Sequence, residues 1–292
     1  MEPVLFDQRP EMQRPTVVMA FSGWNDAGES ASTAADALAT TWSATPFGRI
    51  DPEEFFDFQA TRPTVRLIDG RSRSISWPQH IFAHARVDGR DIVLLTGPEP
   101  NLRWRTFSHA IIDTCKTIGA SRLVTLGAFL ADVPHRHPVP IVGSASDPND
   151  AAALGLSASN YEGPTGIIGV THDVATRLGL PSVSFWAAVP HYLPLGENPK
   201  AALALSEKLC AFLDVTADMG RLERTIDVWS DAVEEQIAKD DNLRRYIESI
   251  ESGIDEDGDD HATPAIELDE TDADGDAIAA EIEQFLQGQG EQ

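Results

Sequence analysis

Polar and aromatic residues that could do chemistry in this chain gather in four loops. The first is Ser22-Gly23-Trp24-Asn25-Asp26-Ala27-Gly28. The second is Gly97-Pro98-Glu99-Pro100-Asn101, and the third runs from Gly127 through Phe129 and Asp132 to His135. The fourth surrounds Tyr161 and Gly163-Pro164. His191, two residues beyond Val189, adds a base at the end of another apolar run. An imidazole there can move a proton near neutral pH. It can equally be a rim histidine bonded to backbone. His135 and His137 stand two apart beside Asp132, the spacing that puts two ligands on one face of a strand. Both adjoin prolines and no third ligand is identifiable, so no metal is expected. A Trp after a strand is more often a packing plug than a ligand platform. Asn25, Asp26 and Asn101 are of the types that cap helices.

Known catalytic signatures are missing. The first loop is neither GxxxxGK[ST] nor GxGxxG, and the chain has no GxSxG elbow. The acidic stretch from Asp255 to Asp260 lacks the Glu that closes a calcium loop. Cys115 and Cys210 lie in apolar helical patterns and read as reduced core residues. His172 and Asp173 fall inside a helical pattern.

The elements that must position these loops follow from hydrophobic patterning. Val17 to Phe21, between Pro15 and Gly23, is an apolar run too short for a helix and is predicted to be a strand buried on both faces. An Ala-rich helix from Glu29 to Ser43 follows, its small side chains suited to lying close on a sheet. Asp91 to Thr96, Leu123 to Leu126 and Val183 to Val189 repeat the buried-strand pattern. Val4 to Phe6 reads as an edge strand. Glu54 to Phe58, Val65 to Ile68, Ser74 to Trp77 and Ile141 to Ser144 read as further strands. Ile81 to Val87 reads as a half-exposed strand with Phe82, His84 and Arg86 on the face opposite the small apolar residues. Helices are predicted over Leu102–Gly119 with Asn101 as cap, to Leu154, from Glu162 to Gly179 with Pro164 in the first turn, over Lys200–Asp214, and over Asp218–Ser252 with a break. Strands alternating with helices predict a three-layer α/β/α sandwich with a mostly parallel or mixed sheet, plus C-terminal helices. Ligands of such sheets bind at the carboxyl ends of the strands. Trp24, Asn25, Asp26, Asn101, Phe129, Asp132, Tyr161 and His191 are therefore the candidate binding residues, around one depression at that edge. No catalytic residue is assigned.

The 292 residues, 42% hydrophobic, suffice for one large α/β domain and an appendage. Domains are expected at 1–215 (core), 216–252 (helical extension) and 253–292 (tail). From Gly253 on, the chain holds 14 acidic residues and no Lys or Arg, so the tail to Thr271 is expected to be disordered. Ile278, Ile282, Phe285 and Leu286 recover one helical face further on. The net charge of −25 argues against nucleic acid and anionic membranes as partners. The start lacks a signal-peptide pattern and no run approaches a membrane span, so a cytoplasmic location is expected.

Four longer motifs carry a resemblance: FSGWNDAG (Phe21 to Gly28), GPEPNLRW (Gly97 to Trp104), LGAFLADVPHRHPVPI (Leu126 to Ile141) and YEGPTGIIGV (Tyr161 to Val170). Together they resemble the proteasome assembly chaperone family, in the actinobacterial branch related to the second assembly chaperone. The resemblance implies a phosphorylase/hydrolase-like three-layer fold, self-association as a dimer or trimer, and proteasome subunits as partners. It implies a chaperone or binding role before an enzyme role; with no nucleotide or metal motif found, no cofactor is expected. The family's C-terminal hydrophobic–Tyr–any motif is not matched by Gly290-Glu291-Gln292, so docking by that motif is not expected. The aromatic segment Glu53 to Phe58 would suit an interface core or an ordinary buried strand. Sequences of this kind also raise a second possibility, an ATP-dependent carboxylate–amine ligase or a hydrolase. A nucleotide clamp needs basic residues, and those near the loops are few: Arg103, Arg105, Arg122 and Arg136.

Overall fold

The computed structural model describes residues 3–68, 72–154, 162–193 and 196–256. Tyr161 and the tail from residue 257 lie outside them, as does the expected terminal helix. The chain runs β1 (Val4–Phe6), β2 (Thr16–Ser22), α1 (Ser30–Thr41), β3 (Thr45–Ile50), β4 (Thr64–Ile68), β5 (Ser72–Ser76), β6 (His80–Val87) and β7 (Arg90–Pro98). It continues α2 (Trp104–Thr117), β8 (Arg122–Ala131), β9 (Ile141–Ala145), α3 (Pro148–Leu154), α4 (Ile167–Arg177) and β10 (Ser182–Pro190). Helices α5 (Pro199–Leu213), α6 (Gly220–Ile237) and α7 (Asp241–Glu256) complete it.

Eight strands form one mixed sheet in the order β1-β3-β6-β7-β2-β8-β10-β9, while β4 and β5 form a separate ribbon. The four central strands β7, β2, β8 and β10 are parallel. β6, β3, β1 and β9 are antiparallel to their inner neighbours. Strand β2 sits at the centre because its run of Val17 to Phe21 is buried on both faces. Val18 and Ala20 face α1 and α5, with Ala31, Ala34, Ala35 and Leu38 on one side and Ala201, Ala202 and Leu205 on the other. Val17, Met19 and Phe21 face α2 and α4 through Phe107, Ile111, Ile167 and Ile168. The predicted three-layer α/β/α sandwich is the fold observed. No helix among the described residues is long and apolar enough to cross a membrane.

Several boundaries differ from those expected. Glu54 to Phe58 is not a strand. Asp51 accepts a hydrogen bond from the Glu53 amide and Pro52 sets the first φ of a 3-10 turn. That turn drives Phe55 into an edge contact with Phe107 at 5.1 Å and stacks Phe56 on His80 at 5.3 Å, so these aromatics are core and not interface. Strand β8 continues past Gly127 to Ala131, in register with Trp186 to Pro190 of β10. Gly127 is there for close approach and makes no turn: a Cβ at this position would lie 2.5 Å from the Trp186 ring. In β6 the buried residues are His80, Phe82 and Ala85: His80 and Phe82 pack with the aromatics on the α2 side, and Ala85 joins the core on the α1 side. Helix α4 starts at Ile167, which leaves Pro164 outside it.

Candidate functional site

The parallel strands β7, β2, β8 and β10 deliver their carboxyl ends to one edge of the sheet. After β2, Gly23 takes a φ of 125°, open to glycine at little cost, and reverses the chain. Trp24 is then 57% exposed, which overturns the expectation of a packing plug. Asn25 and Asp26 point the other way and are buried. The Asn25 carbonyl accepts from the Ala128 amide at 2.8 Å, tying this loop to β8. Asp26 Oδ1 accepts from the Ala31 amide at 2.6 Å and the Ser32 amide at 3.3 Å, and Oδ2 from the Ser32 hydroxyl. These bonds satisfy free donors at the start of α1. Burial outweighs them and pushes the Asp26 carboxyl above its ordinary pKa.

Glu99, at the end of β7, is a residue that sequence patterning did not single out. Its Oε1 accepts from Asn25 Nδ2 at 2.6 Å and from the Ile167 amide at 3.0 Å. A carboxylate thus meets the positive end of α4, where helix dipole and free N–H groups both favour it. Asn25 Oδ1 has no protein partner and packs against Gly166. The partners of Glu99 are 74 and 68 residues away in sequence, so no local pattern announces this cluster.

A second cluster forms at the ends of β8 and β10. His191 Nδ1 lies 3.0 Å from Asp132 Oδ1, and the Tyr246 hydroxyl donates to the same oxygen at 2.8 Å. Burial, then the Asp132 hydrogen bond, push the Tyr246 hydroxyl up to about 12. The His191 and Tyr246 rings meet edge-on at 5.5 Å. Behind them His135 is buried, its Nδ1 2.9 Å from the Tyr192 hydroxyl and its Nε2 3.1 Å from Glu234 Oε1. Burial lowers the His135 pKa despite the carboxylate. A neutral ring fits the geometry: Nε2–H donates to Glu234 while Nδ1 accepts from Tyr192. Arg136 adds a two-pronged contact to Glu234 at 2.8 and 2.9 Å. Lys200 Nζ donates to the carbonyls of His135 and His137 at 2.6 and 2.8 Å and holds the loop against α5. The His135–His137 pair is therefore committed to packing and polar contacts, the first through its ring and the second through its backbone.

Asn101 does not cap α2, whose first turn has no side-chain cap. Its Oδ1 accepts from the Asp57 amide at 3.1 Å and from the Thr61 hydroxyl at 3.0 Å, which binds the loop after β3. Phe129 lies within β8, half-buried, opposite Ala188. The structure thus brings Asn25 together with Glu99, seats Asp26 on the start of α1, and brings Asp132 together with His191 and Tyr246. It turns Asn101 toward residues 57–61. An Asp–His pair can orient a base. Among the described residues, this pair meets the Tyr246 hydroxyl and the Tyr192 and Tyr246 rings.

Glu234 links the helical extension to this edge, and Arg136 holds its carboxyl down at about 2. A folded-state value below the ordinary 4.5 gives stability that is complete above pH 4.5 and is lost as pH falls toward 2. Glu234→Gln is therefore expected to lower the urea midpoint at pH 7, with the deficit shrinking over that window. A deficit independent of pH would contradict the assignment.

The PAC2 family model matches residues 20–237. A PAC2 family protein from Streptomyces avermitilis is 43% identical, over 80% of this chain and 99% of that one, with a TM-score of 0.75. A proteasome-assembly chaperone homologue from Mycobacterium tuberculosis is also 43% identical with the same coverage, at a TM-score of 0.73. An archaeal proteasome activator from Pyrococcus furiosus, 14% identical over 80% of this chain and 99% of its own, shares the fold at a TM-score of 0.66. No curated protein matches.

Proposed function

We propose that this chain, which belongs to the PAC2 family, is a non-enzymatic binding protein serving proteasome assembly. The carrying observation is its 43% identity to a proteasome-assembly chaperone homologue of which it covers 99%. The chemistry of the edge supports a binding role. Asp26 is committed to α1 and Glu99 to α4. Asp132 and His191 are engaged by Tyr246. Carboxylates and imidazoles held this way organise loops, and Trp24 stands exposed, with Asp132 and His191 also open to solvent and Phe129 half-buried. Exposed aromatics of this kind anchor protein contacts.

On this view residues 1–215 are the core, 216–252 an extension that braces the edge, and 253–292 an acidic tail. Trp24, Phe129, Asp132, Tyr161 and His191 mark the contact surface, while Asn25, Asp26 and Asn101 hold its loops. Proteasome subunits and further copies of the chain are the partners, the location is cytoplasmic, and no cofactor is called for. The test is native mass after mixing the purified chain with unassembled proteasome subunits of its own organism. A complex that Trp24→Ala weakens about tenfold or more is expected. No complex, together with ATP turnover abolished by Asp132→Ala or His191→Ala, would overturn the proposal in favour of a ligase.

A further inference from the structure

Three aromatic rings meet where β8 and β10 end. His191 and Tyr192 directly follow β10, and Tyr246 reaches them from α7. The His191–Tyr192, His191–Tyr246 and Tyr192–Tyr246 pairs stand at 84°, 75° and 80°, with centroids 5.8, 5.5 and 6.1 Å apart. Three near-perpendicular rings at this spacing form three walls of a box corner. A group facing all three stands roughly 4 Å from each, inside the ~6 Å reach of cation–π attraction. Each wall is held in place. The Tyr192 hydroxyl accepts from the His135 amide at 2.8 Å, and the His191 amide donates to the Ala131 carbonyl at 3.2 Å. Tyr246 precedes Ile247, which is fully buried against Val233 and Ile237 of α6. The corner opens to solvent, with the His191 side chain 43% exposed and Tyr246 36%.

Asp132 supplies a charge at this corner. The His191 ring and the Tyr246 hydroxyl both contact its Oδ1. Its Oδ2 has no partner among the described residues, and the side chain is 77% exposed. The neighbouring cations turn elsewhere: Arg136 to Glu234 and Glu251, Lys200 to the carbonyls of His135 and His137, Arg244 to Asp241 and Arg245 to Asn242. Aromatic faces beside a carboxylate attract an organic cation. A guanidinium is planar and stacks on one face, whereas a compact ammonium on a methylene stem fits a corner. A free small amine needs an enclosed pocket that buries most of it. This corner is open, which suits a side chain carried by a protein.

We propose that His191, Tyr192 and Tyr246 form a three-walled box for an alkylammonium group, presented as a lysine side chain of a partner protein, with Asp132 as its counter-ion. This rests on the binding role put forward above and names the chemistry the partner presents at this edge.

NMR of the full chain with isotope-labelled histidine and tyrosine rings tests it. The probe is a short, end-blocked peptide with one lysine among glycines. It is expected to move the His191, Tyr192 and Tyr246 signals together, and its trimethyllysine form to bind more tightly. The same peptide with norleucine in place of lysine is expected to move none of them. Tyr246→Leu is expected to weaken binding about three- to fivefold, the loss of one exposed cation–π wall. Asp132→Asn is expected to weaken it by up to about fivefold, the loss of one exposed ion pair. Tyr246→Phe keeps the ring and is expected to keep the wild-type affinity. Equal losses in Tyr246→Phe and Tyr246→Leu would assign the effect to the hydroxyl and overturn the wall. Norleucine shifts equal to those of lysine, or no ring shifts at millimolar lysine peptide, would overturn the box. Choline bound more tightly than either lysine peptide would overturn a protein side chain as the ligand. Lysine-peptide binding without any complex with proteasome subunits would sink the assembly role and leave this site standing. A complex with subunits, but no ring shifts with lysine peptide, would sink this site alone.

Discussion

Gly166→Ala is expected to lower the melting temperature by roughly 10 °C, out of proportion to one methyl group on a helix end. The backbone is not the reason, since Gly166 has φ −93°, a value any residue adopts. The reason is Asn25. A Cβ at Gly166 would overlap the Asn25 amide, with Nδ2 at 2.5 Å. Asn25 is buried and cannot swing aside without leaving Glu99, which in turn holds the first amide of α4. Overpacking of this kind costs about 1–3 kcal/mol, and stranding a buried polar group costs about 1–3 more. In a domain of this size each kcal/mol shifts the melting temperature by roughly 2–4 °C. Asn25→Ala should cost stability alone yet relieve the clash when combined with Gly166→Ala. A thermal double-mutant cycle measures this. Additive losses, or a Gly166→Ala protein melting with the wild type, would show that the cluster is looser than described.

His80 is expected to make the fold acid-labile well above the carboxylate range. It is fully buried among Phe21, Phe56 and Phe107, with ring distances of 4.7, 5.3 and 4.6 Å. Its Nε2 lies 2.6 Å from the Pro98 carbonyl, while Nδ1 has no partner. Nothing there solvates a second proton, so burial lowers its pKa from 6.5 to about 3. The unfolded chain therefore takes up this proton first. The native state keeps its full advantage above pH 6.5 and loses it as pH falls toward 3, at about 1.4 kcal/mol per pH unit at most. The total is several kcal/mol, on the order of a domain's whole stability. His80→Phe fills the same aromatic niche and forgoes the bond to Pro98. It is expected to be slightly less stable at pH 7 and more stable than the wild type near pH 4. Urea unfolding across pH 7 to 4 decides this, and a wild-type slope retained in His80→Phe would assign the lability elsewhere.

Much of this architecture is written locally. Val17 to Phe21 declares a doubly buried strand by composition, and the glycines that flank its loop declare the turn. The Ala-rich helix after it declares close packing. Those features depend on neighbours in sequence, and they place Trp24, Asn25 and Asp26 at a strand end without further information. The rest depends on distant residues. Gly127 looks like a turn until Trp186 is seen against it. Asn101 looks like a helix cap because its competing partners, Asp57 and Thr61, are more than 40 positions earlier or at that separation. Glu99 carries no recognisable motif and gains its role from the α4 amide that β-sheet order brings to it. Tyr246 reaches Asp132 from a helix whose own sequence shows only amphipathic periodicity.

The most direct test of the proposed function is the time course of proteasome assembly from purified subunits, followed by native mass with and without an equimolar amount of this chain. The proposal expects assembly to be faster or more complete in its presence, and the gain to be lost with Trp24→Ala. Identical time courses with and without the chain would contradict it.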